Sequence, residues 1–224
     1  MTEATESALT PRHYIAEALG TFVLVALGPG AAMVSARTQA FGPLGVALAF
    51  GLAVTLVIVS TGHLSGAHIN PAVTIGLWSV RRFPARQVVP YVVSQCAGAV
   101  LASAVLVWIL GREGGFGATT PTLPIPQAFV VEAGYSAILG YVILGATDLR
   151  NARGVAPFAI GATVFAGALV TGPLTGGSFN PARTLGPALI GGVWTAHWLY
   201  WAAPILGMVL AMRLYRALND AEAP

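Results

Sequence analysis

The stretch GPLTGGSFNPART, from Gly172 to Thr184, decides the fold of this chain. Its central tripeptide, Asn180-Pro181-Ala182, also occurs in the first half as Asn70-Pro71-Ala72. Asn is a preferred helix N-cap, because its side-chain oxygen accepts from an amide of the first turn, and Pro is favoured as the first helical residue. Both tripeptides therefore predict a helix start. Only about ten apolar residues follow each one, which is too few to cross a hydrocarbon layer of about 30 Å.

Arg183 follows the second tripeptide directly, whereas Val73 stands at the equivalent place after the first. The N-terminus of a helix carries partial positive charge and favours anionic side chains. A cation there breaks the local rule, and such exceptions are expected at functional positions. The two copies are therefore related but not equivalent.

The composition indicates an integral membrane protein. Of 224 residues, 56% are hydrophobic and 8% are charged, against about 25% charged in soluble domains. The length suffices for six helices of about 20 residues with their connections. The net charge of +3 is spread over loops and gives no basis for a nucleic-acid partner. No cofactor is indicated.

Both halves follow one plan: a span that carries a Glu, a second span, a Gly-rich loop, a half-helix and a third span. Three spans is an odd number, so the second half must lie inverted relative to the first, which is the kind of repeat whose binding sites are built from broken helices near the midplane of the membrane. We predict an all-α membrane protein with six transmembrane helices and two re-entrant half-helices.

The expected organisation is a single channel domain over residues 11–218, preceded by a disordered cytoplasmic tail over residues 1–10. Within the domain, the first repeat covers about 11–110, an irregular linker covers 111–126, and the second repeat covers 127–218.

The arginines predict the orientation, because cytoplasmic loops carry an excess of basic residues. With both termini cytoplasmic, most arginines face the cytoplasm: Arg12, Arg81, Arg82, Arg86, Arg150, Arg153, Arg213 and Arg216. The expected location is the cell (inner) membrane. The two half-helices then enter from opposite sides, and their N-termini meet near the middle.

Irregular backbone at membrane depth requires burial in protein or a water-filled cavity. The loop carbonyls are therefore expected to line a pore, and they belong to Gly66, Ala67, His68, Ile69, Gly176, Gly177, Ser178 and Phe179. The side-chain amides of Asn70 and Asn180 can both donate to a passing water. Facing half-helix dipoles oppose cations and protons.

Glu17 and Glu132 are ionisable groups inside spans, which are functional by default. One reading is a proton or ion relay; the other is that each carboxylate accepts hydrogen bonds from the loop of its own half. Their matched positions favour loop anchoring. His63 is expected in the inner vestibule, and no metal site is predicted because no third ligand lies nearby.

The segments GHLSGAHINPAVTIGLW and GPLTGGSFNPARTLGPA resemble the two signature loops of the aquaporin, or major intrinsic protein, family. The resemblance runs over nearly the whole chain, and the residues around it are similar to the bacterial-type water channels. It implies a pore in each protomer, a homotetramer, and water and small neutral solutes as the permeating molecules.

The resemblance also implies an outer selectivity filter at Phe50, Ala168, Gly177 and Arg183. Water-selective members usually have a His where this chain has Ala168. Members that pass glycerol usually carry bulky aromatics at the first and third places and an Asp after the Arg, where Thr184 stands here. These signals conflict, and the small Ala168 and Gly177 suggest a wide filter.

The expected function is a passive water channel that excludes protons and ions, with a wide outer filter open to small neutral solutes. One alternative is a facilitator mainly for glycerol, ammonia, hydrogen peroxide or metalloid hydroxides. An alternative of another class is a coupled secondary transporter that uses Glu17 or Glu132. An enzyme is not expected, because no nucleophile–base pair is evident.

Overall fold

The chain forms a bundle of long helices around two deep loops. The computed structural model describes residues 10–220, where no strand occurs. The α-helices of this part of the chain are α1 Pro11–Thr38, α2 Gly42–Ser65, α3 Pro71–Ser79, α4 Val88–Leu110, α5 Ile125–Ala146, α6 Ala156–Thr175, α7 Pro181–Gly191 and α8 Leu199–Asp220. Six of them are long and apolar enough to cross a membrane, namely α1, α2, α4, α5, α6 and α8. The predicted all-α fold with six spans and two half-helices is confirmed.

The half-helices α3 and α7 begin at the two Asn-Pro-Ala tripeptides. The Asn70 side chain accepts from the amide of Ala72, and the Asn180 side chain accepts from the amides of Ala182 and Arg183. Helix α3 has 9 residues and α7 has 11. At about 1.5 Å per residue, each reaches only about half-way through a bilayer core.

The halves exchange their half-helices, because α3 packs against α8 and α7 packs against α4. Helix α2 packs against α6 across the seam between the halves. We call the end of the bundle where α1 begins the N-terminal face, and the end where α1 finishes the opposite face. Alternation of the spans brings the end of α3 to the N-terminal face and the end of α7 to the opposite face.

Glycines permit equivalent close helix crossings in both halves. Gly98 of α4 lies against the Ala18 carbonyl of α1, and Gly207 of α8 lies against the Ala133 carbonyl of α5. A Cβ atom at either position would overlap that backbone oxygen, so the helices would have to separate. Small residues serve close helix contact in membranes in this way.

The connection between the halves is less regular than the repeats. It contains a short turn segment, Glu113–Gly117, in which Gly114, Gly115 and Phe116 have positive φ angles, and α5 begins at Ile125, inside the predicted linker. The segment packs on α1 and α7 at the opposite face. Of the tail predicted over residues 1–10, only Thr10 belongs to the described residues.

Candidate functional site

Glu17 holds the first deep loop by its backbone. Its Oε1 accepts from the amide of His68 at 2.9 Å and from Ser65 Oγ at 2.7 Å. Its Oε2 accepts from the amide of Ile69 at 2.7 Å and from Gln95 Nε2 at 2.7 Å. The side chain is fully buried. A buried carboxylate requires such donors, and here the loop supplies two of them.

Glu132 makes the matching contacts to the second loop. Its Oε1 accepts from the amide of Ser178 at 3.0 Å and from Thr175 Oγ1 at 2.6 Å. Its Oε2 accepts from the amide of Phe179 at 2.9 Å. This side chain is also fully buried. In both halves, one carboxylate thus holds the two consecutive amides that precede the asparagine.

The tips of the two loops are joined by a reciprocal pair of hydrogen bonds. Asn70 Nδ2 donates to the carbonyl of Phe179 at 2.8 Å, and Asn180 Nδ2 donates to the carbonyl of Ile69 at 2.8 Å. An amide nitrogen carries two N–H groups, so each asparagine keeps a second donor. Both asparagines line the same cavity.

Ile69 and Phe179 adopt the left-handed backbone conformation, with φ of 44° and 54°. Bulky side chains, and β-branched ones above all, rarely adopt it. Such conformations persist where the surroundings fix them, and here each residue's amide and carbonyl are both held by the contacts described above. The strain is matched in the two halves.

A central cavity of about 270 Å³ runs along the loop tips. Its polar side is formed by the loops, and its other side by apolar residues of α1, α2, α5 and α6. Of the residues predicted to line a pore, those in its wall are Gly66, Ala67, His68, Ile69, Asn70, Gly177, Ser178, Phe179 and Asn180. The exception, Gly176, lines a second cavity that lies toward the opposite face.

The second cavity, which we call the opposite-face cavity, measures about 430 Å³. It shares four lining residues with the central cavity: Phe50, Ala168, Gly177 and Arg183. These are the residues that the family resemblance assigns to a filter. The structure therefore brings them together at one junction between two cavities.

Arg183 is the cation of this junction and is only 3% exposed. Its Nη1 donates to the carbonyl of Gly117 at 2.8 Å, and its guanidinium carbon lies 4.9 Å from the centre of the Phe50 ring. Its Nε has no partner among the described residues. A buried donor without a partner is costly, so this N–H is suited to a molecule that occupies the junction.

Gly177 is one of the two small residues of the junction. Its φ is +56°, and a Cβ atom there would stand 3.0 Å from Thr171 Oγ1. A larger residue is therefore disfavoured by the backbone as well as by space. With Ala168 across the junction, two of its four walls are small.

The predicted vestibule residue His63 is exposed and lies outside the wall of the central cavity. Its assignment to the vestibule stays a prediction. Among residues 10–220, no group of three or more His, Cys, Asp or Glu side chains is placed to hold a metal ion.

Sequence reasoning missed a pair of buried tyrosines. Tyr91 OH donates to the carbonyl of Ser65 at 3.1 Å, and Tyr200 OH donates to the carbonyl of Thr175 at 2.5 Å. Each hydroxyl thus satisfies the last carbonyl of the helix that precedes a deep loop. Aligning the two halves on their Asn-Pro-Ala tripeptides brings both tyrosines close to the same place, and this was the available signal.

Gln95 was missed as well, and the second half has no counterpart. Its Nε2 donates to Glu17 Oε2 and, at 3.0 Å, to Thr74 Oγ1. Thr74 Oγ1 in turn lies 3.2 Å from His68 Nδ1. In the second loop, Ser178 Oγ and Thr184 Oγ1 lie 2.5 Å apart and make the corresponding link.

Comparison with known proteins agrees with this geometry. A sequence model of the family described as "Major intrinsic protein" matches residues 4–215. Aquaporin Z of Photorhabdus laumondii is 42% identical in an alignment of 224 positions that covers 92% of this chain and 97% of that protein. Aquaporin NIP1-1 of Zea mays is 41% identical in an alignment of 214 positions that covers 94% of this chain and 76% of that protein.

Among solved structures, the X-ray structure of the aquaglyceroporin from Plasmodium falciparum matches with a TM-score of 0.84 at 28% identity. The match covers 94% of this chain and 97% of that one. With a family model over nearly the whole chain and relatives aligned along most of it, the chain belongs to the major intrinsic protein family, the aquaporins.

Proposed function

We propose that this protein is a passive water channel whose wide outer filter also admits small neutral solutes. Membership of the family makes it a transmembrane channel for water or small solutes, rather than a member of an enzyme family. The proposal adds which molecules pass and where they are selected.

The junction of the two cavities carries the proposal. Arg183 and Phe50 supply a cation and an aromatic wall, while Ala168 and Gly177 leave the remaining sides small. Arg183 Nε offers one donor to a permeating oxygen. A water, or a small solute with one hydroxyl in line with that donor, meets no large side chain at Ala168 or Gly177.

Exclusion of protons and cations is assigned to the loop tips together with Arg183. Two helix N-termini meet where Asn70 and Asn180 line the central cavity, and their partial positive charges disfavour a cation there. A water that accepts from both asparagine amides cannot accept a proton from its neighbour at the same time. The positive charge of Arg183 adds to this barrier.

We assign the N-terminal face to the cytoplasm, because most arginines lie in the connections of that face. Both termini are then cytoplasmic in a multi-pass protein of the cell membrane. A homotetramer with one pore per protomer is proposed from the family resemblance.

A facilitator mainly for glycerol or other small uncharged solutes is the second candidate, and the small Ala168 and Gly177 favour it. Coupled transport finds no such support. Glu17 and Glu132 accept hydrogen bonds from the loops and lie outside the wall of the central cavity.

Light scattering from vesicles that contain the purified protein tests the proposal. When the outside solution is made hyperosmotic with sucrose, the vesicles should shrink much faster than empty vesicles. When it is made hyperosmotic with glycerol, they should shrink and then reswell as glycerol enters. Shrinkage no faster than in empty vesicles would refute the water channel, and absence of reswelling would refute the wide filter alone.

A further inference from the structure

A third cavity, which we call the basic cavity, opens beside the central one at the N-terminal face. It measures about 740 Å³. Its wall comes from the start of α1, the end of α2, the connection between α3 and α4, and the start of α4. It shares His68 and Arg82 with the central cavity. The mechanism proposed above does not use it.

The charged side chains in the wall of the basic cavity are cationic. Arg81, Arg82 and Arg86 all line it. The carboxylates whose side chains the structure describes, Glu17, Glu132 and Asp148, lie outside the wall. Of these three carboxylates, Glu17 is the closest in sequence to a wall residue, His13. Its oxygens accept hydrogen bonds from the first deep loop and from Gln95.

The backbone brings two of the arginines into the wall. After α3, the amide of Arg81 donates to the Trp78 carbonyl and the amide of Arg82 donates to the Leu77 carbonyl. Arg81 is held in the left-handed conformation, with φ of 60°. The Arg82 side chain donates from Nη1 to Thr147 Oγ1 at 3.4 Å, which is a long and therefore weak hydrogen bond.

The inner part of the basic cavity is aromatic. The rings of His68, Phe83 and Tyr91 pack together, with centroid distances of 4.8 Å, 5.2 Å and 4.6 Å. Trp78 stands in the same wall and is 47% exposed. The cavity thus joins guanidinium groups to apolar ring surface.

We propose that the basic cavity is a binding site for a phosphate ester. Guanidinium groups pair with phosphate oxygens in a planar, two-pronged arrangement that suits Arg better than Lys. The phosphate would lie among Arg81, Arg82 and Arg86, and its organic part would lie against Phe83 and Trp78. This site stands on its own contacts and does not depend on which solute the channel passes.

Binding to the purified full-length protein in neutral detergent tests the site, at constant ionic strength. The probes are inorganic phosphate, a short-chain phosphatidylglycerol and a short-chain phosphatidylcholine. We expect saturable binding of phosphatidylglycerol, stronger than that of the zwitterionic lipid. Arg81→Asn and Arg86→Gln should each weaken it at least about tenfold. Asn tolerates the left-handed backbone of residue 81, and Arg86→Gln serves as a second, independent variant.

Arg153→Gln is the matched control, because Arg153 is exposed in the α5–α6 connection of the same face, outside the cavity wall. It should bind as the wild type does. Binding of phosphatidylglycerol without inorganic phosphate would identify the ligand as a lipid headgroup. Binding of inorganic phosphate as well would show that the site also accepts a free phosphate. Binding of neither, unchanged affinity in both cavity variants, or an equal loss in Arg153→Gln would overturn the site.

Discussion

The two deep loops share a scaffold but differ in charge. In each, a buried Glu from the first span of the same half holds the two amides before the asparagine, and the asparagine caps a half-helix while it bonds the other loop. Yet Val73 and Arg183, at equivalent places in α3 and α7, both line the central cavity. The duplicated contacts thus hold both loops at the central cavity, and we propose that the unmatched Arg183 provides selection.

The largest expected effect comes from the shared scaffold. Glu132→Gln leaves one carboxamide oxygen for contacts that two carboxylate oxygens make, so at least one buried donor loses its partner. Loss of a buried partner costs about 1–3 kcal/mol, and more when charge is involved. We expect a clearly lower melting temperature for the purified protein in detergent.

Glu17→Gln sharpens this prediction, because Glu17 accepts from Gln95 in addition to the loop. Its melting temperature should fall at least as far as that of Glu132→Gln. A melting temperature unchanged in either variant would show that the carboxylates do not anchor the loops.

The next effect concerns the unmatched charge. Arg183→Val makes the second half-helix resemble the first, and it should raise proton or cation leak at least about tenfold, since a buried charge acts strongly at short range. Water flux should remain substantial. Leak is measured in vesicles with an internal pH-sensitive dye.

Val73→Leu is the control for this change, because it alters the equivalent position without altering its charge. Its leak should equal that of the wild type. If Arg183→Val leaks no more than Val73→Leu, the charge of Arg183 does not exclude ions.

A smaller effect is expected from the width of the junction. Ala168→His adds a bulky polar ring at a position that lines both cavities. Glycerol reswelling should slow several-fold, while water flux falls less. Ala36→His, at an exposed position of α1 in the wall of the opposite-face cavity, should leave glycerol reswelling near the wild-type rate; equal slowing in both variants would count against a filter at residue 168.

The smallest effect lies in the second half at the N-terminal face. Arg150 donates to both carboxylate oxygens of Asp148, and Tyr215 OH donates to Oδ2 at 3.0 Å. These contacts hold the pKa of Asp148 well below its ordinary value. A lowered carboxyl pKa stabilises the folded state above the ordinary value, and that contribution is lost as pH falls through the lowered one.

The protection factors for amide hydrogen exchange in the α5–α6 connection should therefore not change between pH 8 and about pH 5, since the ordinary Asp pKa is about 3.9. Asp148→Asn should increase hydrogen exchange in that connection throughout this range. Exchange in the mutant equal to that of the wild type would show that the ion pair does not hold the connection to α8.

Local chemistry made much of this architecture predictable. The helix starts at Asn70 and Asn180 follow from capping, and the six spans follow from apolar length. The position of Glu17 and Glu132 in the first span of each half indicated their common relation to the loops. The junction residues came from the family resemblance and not from periodicity.

Other parts depend on contacts that only the folded chain creates. Gly117, which accepts from Arg183, belongs to a connection that its composition predicts to be irregular. The left-handed backbone of Ile69 and Phe179 runs against the conformational preferences of these residues. Burial of the Tyr91 and Tyr200 hydroxyls depends on helix crossings that no local pattern specifies.

One measurement addresses the central claim that water and small neutral solutes pass where protons do not. Vesicles that contain the protein and a pH-sensitive dye are mixed with glycerol under a proton gradient, and volume and internal pH are followed together. We predict rapid shrinkage, then reswelling, with internal pH changing no faster than in empty vesicles. Internal pH that equilibrates as fast as the volume, or a volume that changes no faster than in empty vesicles, would contradict the account.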